Sequence, residues 1–132
     1  MATVLDIDQS THNDGQQLRF SSSQEKFAQS WKPNYTAQLP KVALKLSKLG
    51  TPTGNIWVTI ETDNGSGYPS GTVLATSGNL DVSTLTSTPT FYDLTFASPP
   101  LLNGGITYHI VLQGDYAYGA ANAVWSNNST SL

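Results

Sequence analysis

The 132-residue chain contains no cysteine, which excludes disulfides, thiolate nucleophiles and cysteine-ligated metals. Charged residues make up only 11% of it, against about 25% in a typical domain. The net charge is −3 and Lys and Arg form no cluster, whereas a protein that binds a phosphate backbone needs a basic stripe. No apolar run reaches the roughly 18 residues of a membrane helix. These absences argue against nucleic-acid binding and membrane insertion.

The opening segment "MATVLDIDQS" has neither a basic stretch nor an apolar stretch, so it does not read as a signal peptide. What the chain has in abundance is Ser and Thr, roughly a quarter of all residues. Hydroxyl groups rather than charges are therefore expected to solvate the surface. Such a composition suits strands and is common in extracellular and virion modules. A virion or an extracellular surface is the expected location.

Alternation with a period of two dominates the chain and predicts strands that each have one apolar face. The clearest segments are Val42–Leu46, Ile56–Ile60, Tyr92–Phe96 and Ile106–Leu112. Weaker segments are Val4–Asp8, Lys26–Trp31, Thr72–Ser77 and Ala123–Asn127. Turn residues separate them at the spacing of a sandwich, so about eight antiparallel strands are expected to cover one core. We predict a single all-β domain, residues 1–132, with a mobile loop at Thr11–Ser23.

The segments "KLSKLGTPTGNIWVTI", "GYPSGTVLATS", "STPTFYDLTFASPPLLNGGITYHIVL" and "AVWSNN" follow one another in the order of a known family. Together with the upstream "AQSWKP", they resemble the choice-of-anchor type of β-sandwich domain found in bacterial surface proteins and in phage and prophage structural proteins. The resemblance covers most of Phe27–Asn128. It implies a jelly-roll-like sandwich used for display, adhesion or assembly. Family members continue with further strand sequence after the late Trp segment, so the expectation is that either the fold closes differently here or a sheet edge is left open and invites pairing with another chain.

No arrangement of residues in the sequence predicts catalysis. Serine is abundant, but the G-x-S-x-G motif of a nucleophile elbow is missing. His109 is expected at a surface or an interface, on the outward side of its strand. Glu61 and Asp63 share a strand face, which keeps a carboxylate pair of the glycosidase kind as a remote alternative. Such carboxylates usually serve solubility, so we predict that the protein is not an enzyme.

Aromatic residues near amides and hydroxyls are the candidates for contact with a glycan or a partner protein. These candidates are Trp57, Tyr68, Tyr116, Tyr118 and Trp125. Tyr116 and Tyr118 would lie on one side of an extended segment, and the alternative is that they cap the core. Phe91 and Val111, like Trp57, fall on outward strand faces, which predicts either a contact surface or a third layer.

Oxygen-bearing side chains at Asp63 and Asn64 are a candidate structural calcium site. The spacing is not that of an EF-hand, and no other cofactor is expected. The function predicted from the sequence is therefore a non-catalytic structural or adhesive subunit of a larger surface assembly, with homo-oligomeric or other protein partners. A phage virion is the leading setting, as a capsid decoration or tail-associated protein. The alternative is a carbohydrate-binding module.

Overall fold

The computed structural model describes residues 3–8, 14–18, 26–116, 119 and 121–127, with the backbone alone for 3–8, 14–17 and 126–127. Within these residues the chain forms eleven strands and one short 3-10 turn at Val82–Thr84. The strands are β1 Thr3–Asp8, β2 Asp14–Gln17, β3 Lys26–Trp31, β4 Ala37–Leu49, β5 Asn55–Asp63, β6 Pro69–Thr76, β7 Leu80–Asp81, β8 Thr90–Thr95, β9 Leu101–Leu102, β10 Tyr108–Gly114 and β11 Asn122–Asn127. They build two sheets that pack face to face, which confirms the predicted all-β sandwich.

The large sheet has six strands and is organised around β4, its longest member. On one flank β4 pairs with β8 and β9, and on the other it pairs with β1 and β11. Strand β2 extends the sheet beyond β11. All these pairs are antiparallel except β1 with β4, which is parallel. This parallel pair departs from the purely antiparallel arrangement that the sequence predicts.

The small sheet has five strands, with β5 and β10 at its centre. Strand β10 pairs with β3 and β5, and the far side of β5 pairs with β6 and β7. The β5–β6 register shifts, because Ile60 is opposite Ala75 while Glu61 is opposite Val73. Leu74 is therefore an extra residue on β6. Such a bulge bends an edge strand and discourages further pairing along it.

The core lies between the two sheets and consists of the inward-facing residues of the predicted alternating segments. Val42, Leu44 and Leu46 of β4 are fully buried. The facing residues of β5 and β10 are buried as well, namely Ile56, Val58, Ile60, Ile110 and Leu112. The alternation read from the sequence thus assigns the core faces of these three strands correctly, because one face of each must leave water.

Two outward positions of β10 are buried, contrary to prediction. His109 and Val111 are each only 2% exposed. Strand β10 is central in its sheet, between β3 and β5, so it has a strand on both sides. Its own Gln113 reaches toward β5, where its amide donates to the hydroxyl of Thr59 at 3.2 Å. Burial on this face follows from the position of the strand, which the alternation of residues does not reveal.

The prediction of a strand starting at Ile106 is wrong, because β10 begins at Tyr108. Ile106 is 49% exposed and belongs to the preceding turn, where its N–H points to the Asn103 carbonyl. The predicted loop at 11–23 is also wrong in part, since Asp14–Gln17 forms β2 and Leu18 is fully buried. The other residues of that segment lie outside the described part of the chain.

Candidate functional site at one end of the sandwich

The strand registers place several connections at one end of the molecule. In the small sheet, Tyr108 is opposite both Trp31 and Thr62. In the large sheet, Ala37 at the start of β4 is opposite Leu102. The connections that extend from these positions are 32–36, 64–68 and 103–107. We call this end of the sandwich the apical end.

Large apolar side chains are concentrated at the apical end. Eight such side chains are exposed in the described part of the chain, and four of them are here. They are Tyr35, Tyr68, Leu101 and Ile106, with exposures of 48%, 67%, 56% and 49%. We call these four residues the apical surface. Exposed apolar residues that gather in one region mark interaction sites, whereas single scattered ones carry no such meaning.

Close backbone packing fixes two of the apical connections against each other. A Cβ atom on Gly104 would lie only 2.7 Å from the Tyr35 Cα, so only glycine fits this position. The Gly104 N–H donates to the Thr36 hydroxyl at 3.1 Å, and the Gly105 N–H donates to the Pro33 carbonyl at 2.8 Å. Tyr35 is consequently displayed from a supported backbone.

The third apical connection, 64–68, belongs to the tip between β5 and β6. We define this tip as residues 63–71, and its own side chains hold it. Asp63 Oδ2 accepts from the N–H groups of Gly65 and Gly67, at 2.8 and 3.4 Å. Asn64 Oδ1 accepts from the N–H groups of Ser66 and Tyr68, at 2.7 and 3.3 Å. These bonds are the local side-chain-to-backbone turns that Asp and Asn favour. They fix the backbone from which Tyr68 extends into solvent.

Buried polar groups of the small sheet anchor both ends of the tip. At its start, His109 Nε2 lies 2.8 Å from Asp63 Oδ1. Near its end, Glu61 Oε1 accepts from the Gly71 N–H at 2.9 Å, while Oε2 accepts from the Thr59 hydroxyl at 3.1 Å. Glu61 is only 5% exposed, so these bonds offset the cost of burying its carboxylate. Three titratable side chains, Asp63, His109 and Glu61, therefore hold the tip against the sheet.

The hydrogen bond from His109 is the main reason that the pKa of Asp63 lies below its usual value of 3.8, and the amides of Gly65 and Gly67 lower it further. A carboxyl whose pKa is lower in the folded state stabilises the fold at pH values above its unfolded pKa. That stabilisation is lost as the pH falls through the lowered folded value. The Asp63 contacts are thus complete at neutral pH and are lost only in acid.

We expect the amide resonances of Gly65 and Gly67 to shift on acid titration, with a midpoint below 3.8, because their acceptor is Asp63. NMR spectra recorded across the acidic range measure this midpoint. Asp63→Asn should abolish the transition, whereas Asp81→Asn should leave it unchanged. Asp81 is a matched control, since the Ser83 hydroxyl and amide lower its pKa at another loop. A midpoint above 3.8 in the wild-type protein would contradict the role given to His109.

The five aromatic residues predicted to make contacts separate into different environments. Tyr68 is exposed at the apical end and Trp57 is half-buried on the outer face of β5. Trp125 and Tyr116 are 1% and 2% exposed and belong to the core, so neither can present a ring to a glycan or a partner. Their burial corrects the prediction for these two residues. Tyr118 lies outside the described residues.

The oxygens of the predicted calcium site already accept hydrogen bonds. Asp63 and Asn64 together accept from four backbone amides of the tip, and Asp63 also contacts His109. Across the described ranges, no three His, Cys, Asp or Glu side chains gather in a way that could hold a metal ion. These two residues therefore have a structural role in the tip. Calcium binding stays a prediction.

The titratable groups that the sequence offers for catalysis lie on both sheets. His109 bonds to Asp63, but no described Ser or Thr hydroxyl bonds to His109. Asp93 lies on β8 of the large sheet, where it pairs with Lys41 at 3.3 Å. It is therefore on a different sheet from Glu61 and Asp63.

Tyr35, Leu101 and Ile106 are contact candidates that the sequence did not reveal. Ile106 fits the apolar side of an alternating segment, so the pattern assigns it to the core. A usable signal is the Asn103-Gly104-Gly105 run just before it, because such residues favour a turn over a strand. No comparable signal marks Tyr35.

A scan of the chain against models of protein families gives no match, and a search among curated proteins finds no similar sequence. In the residues that the structure describes, no helix has the length and apolar character needed to cross a membrane.

Proposed function

We propose that this chain is a non-catalytic structural or adhesive module of a larger surface assembly, and that it contacts its partner through the apical surface. The observation that carries the proposal is the gathering of Tyr35, Tyr68, Leu101 and Ile106 at one end, each about half exposed or more. Sandwich domains commonly place their recognition loops together at one end of the two sheets.

The composition of the tip supports recognition by contact. Its sequence, "DNGSGYPSG", combines one tyrosine with Gly, Ser and Asn, the residue types that dominate recognition loops of antibodies. Its internal hydrogen bonds fix the backbone before binding, which reduces the entropy lost on association. Asp63 is its only charged residue, and His109 and the loop amides engage it. A partner with little charge at the contact is therefore the best match.

The setting that we propose is a phage virion, with the chain as a capsid decoration or tail-associated protein. The support is the resemblance of Phe27–Asn128 to choice-of-anchor domains, together with the hydroxyl-rich and weakly charged composition. Repeated subunits of an assembly need a rigid scaffold and a contact surface more than a reaction centre. A two-sheet sandwich with a supported apical surface meets both needs.

The double variant Tyr68→Ala and Ile106→Ala should weaken incorporation into particles by about tenfold or more, because it removes two exposed apolar anchors. Quantitative mass spectrometry of particles purified from the culture that carries the gene measures the incorporation. The melting temperature should stay within the experimental error of the wild-type value, since neither side chain is in the core.

Leu49→Ala is the matched control, because Leu49 is 43% exposed and is opposite Asn122, far along β4 from Ala37. This variant should be incorporated like the wild-type chain. Two results would overturn the proposal. One is a wild-type chain that is monomeric at every concentration and absent from particles, and the other is equal incorporation of the apical variant.

A carbohydrate-binding module is the second candidate, and it is favoured by the outer face of the small sheet. Trp57 is half-buried there, directly opposite Gln113, whose amide reaches the Thr59 hydroxyl. An aromatic ring beside an amide and a hydroxyl is the chemistry that binds a sugar. A glycan array with wild-type and Trp57→Ala protein tests this candidate, and binding that survives the substitution would exclude the site.

A further inference from the structure

The chain contains two Asn-Gly pairs, and they have different surroundings in the fold. Asn64-Gly65 is in the tip between β5 and β6, and Asn103-Gly104 precedes β10. In an Asn-Gly pair the glycine nitrogen can attack the side-chain carbonyl carbon of the asparagine, because glycine has no Cβ to hinder the approach. Whether this intramolecular reaction occurs depends on the freedom of the peptide and on the groups around it.

The surroundings of Asn64-Gly65 contain the parts that acyl transfer requires. The nucleophile is the Gly65 nitrogen, whose N–H donates to Asp63 Oδ2 at 2.8 Å. Asn64 Oδ1, on which negative charge develops, accepts from the Ser66 and Tyr68 amides at 2.7 and 3.3 Å. Backbone donors aimed at a developing oxyanion lower the barrier to such a reaction. Gly65 also has free space around it, with no atom within 4 Å of the position of a Cβ.

We infer that Asn64-Gly65 is a site of self-modification, at which the chain closes to a succinimide and opens to aspartate or isoaspartate. The Gly65 nitrogen forms a bond to Asn64 Cγ, and the bond from Cγ to the side-chain nitrogen breaks. The proton from the Gly65 nitrogen passes by way of Asp63 and solvent to the leaving nitrogen, which departs as ammonia. A water molecule then hydrolyses one of the two ring carbonyls, so that atoms and charge balance.

The second pair, Asn103-Gly104, is held in a way that opposes the same reaction. The Gly104 N–H donates to the neutral Thr36 hydroxyl and not to a carboxylate, and the Asn103 N–H donates to the Tyr108 hydroxyl at 2.9 Å. The Tyr35 backbone lies against Gly104 so closely that a Cβ there would clash at 2.7 Å. Ring closure requires the peptide between the two residues to rotate, and this packing blocks the rotation.

Modification of Asn64 would change the apical surface. Isoaspartate adds a methylene group to the main chain, and the shifted side chain can no longer accept from both the Ser66 and Tyr68 amides. Tyr68 would lose the support that fixes its position, and a new negative charge would appear beside Asp63. The reaction would therefore act as a slow, irreversible change in a surface that the proposed function uses for contact. The chemistry itself does not depend on that function.

The test is incubation of the intact protein in mildly alkaline buffer, followed by peptide mapping with mass spectrometry and by enzymatic methylation of isoaspartate. Asn64 should be modified faster than Asn103 by about tenfold or more, as expected when packing removes one site from its reactive geometry. In the urea-denatured chain the two rates should be similar, because the difference comes from the fold. Equal rates in the folded protein, or faster modification of Asn103, would overturn the inference.

The variant Asp63→Asn separates an assisted reaction from simple loop freedom. If Asp63 and the tip amides assist ring closure, this variant should modify Asn64 more slowly than the wild-type protein. If the loop reacted only because it is free, loss of the Asp63 contacts would make the reaction faster, and that result would overturn the mechanism. Asp81→Asn is the matched control and should leave the rate at Asn64 unchanged.

Discussion

Replacement of Trp125 by alanine should lower the free energy of unfolding by about 3–5 kcal/mol, the range for truncating a buried Trp or Phe. Trp125 is 1% exposed and lies opposite Leu46 of β4, so its ring fills the core where β11 joins the large sheet. Neighbouring side chains can close such a cavity only in part. Urea or guanidinium unfolding followed by circular dichroism measures the change.

Trp57→Ala is the control of the same residue type, because Trp57 is half-buried on an outer face and not in the core cluster. Its effect on stability should be clearly smaller than that of Trp125→Ala. A Trp125→Ala protein whose stability changes by less than about 0.5 kcal/mol, as surface substitutions do, would show that Trp125 is not a core residue.

Tyr116→Phe should cost about 2–6 kcal/mol, because leaving a buried polar group without its partner costs about 1–3 kcal/mol and two groups are affected here. The Tyr116 hydroxyl donates to the Leu18 carbonyl and accepts from the Ala123 N–H. Phenylalanine keeps the ring and removes both bonds. Equilibrium unfolding measures the loss, and hydrogen exchange should show a faster-exchanging Ala123 amide.

Tyr35→Phe is the matched control, since Tyr35 is 48% exposed at the apical end. Its stability should stay within about 0.5 kcal/mol of the wild-type value. If Tyr116→Phe were equally neutral and left the Ala123 amide protected, the hydroxyl would not join these two segments of the chain.

The strands that form the core could be predicted because their evidence is local. Alternation over Val42–Leu46 and Ile56–Ile60 assigns both the strand and its buried side, and the bounds of β3 match the predicted Lys26–Trp31. Each of these predictions depends only on neighbours in sequence and on the need of one face to leave water.

The core role of Tyr116 could not be predicted, because its hydroxyl bonds to a carbonyl 98 positions away in the sequence. A tyrosine in a Gly- and Ala-rich segment looks the same whether it caps a core or faces a partner. Burial of polar groups on the outer face of the small sheet could not be predicted from the sequence for a related reason. It follows from the central place of β10 between β3 and β5, which is a property of the sheet.

Only part of the candidate site could be predicted from the sequence. Tyr68 stands in an evident turn segment, and its exposure agrees with that position. The structural role of Asp63 depends on His109, which is 46 positions away in the sequence and lies on the adjacent strand β10. The apical surface as a whole depends on the registers that bring three separate connections to one end, and no single segment contains that information.

The order of strands in the large sheet has a consequence for folding kinetics. Strand β11 lies between β4 and β2, so β2 has no place in the sheet until β11 has been added. During synthesis β2 leaves the ribosome long before β11, and the two must then meet across most of the chain. Domains dominated by such distant pairings fold slowly, on scales from about milliseconds to seconds. Strand β2 should consequently join the large sheet late, after β11 has paired with β4.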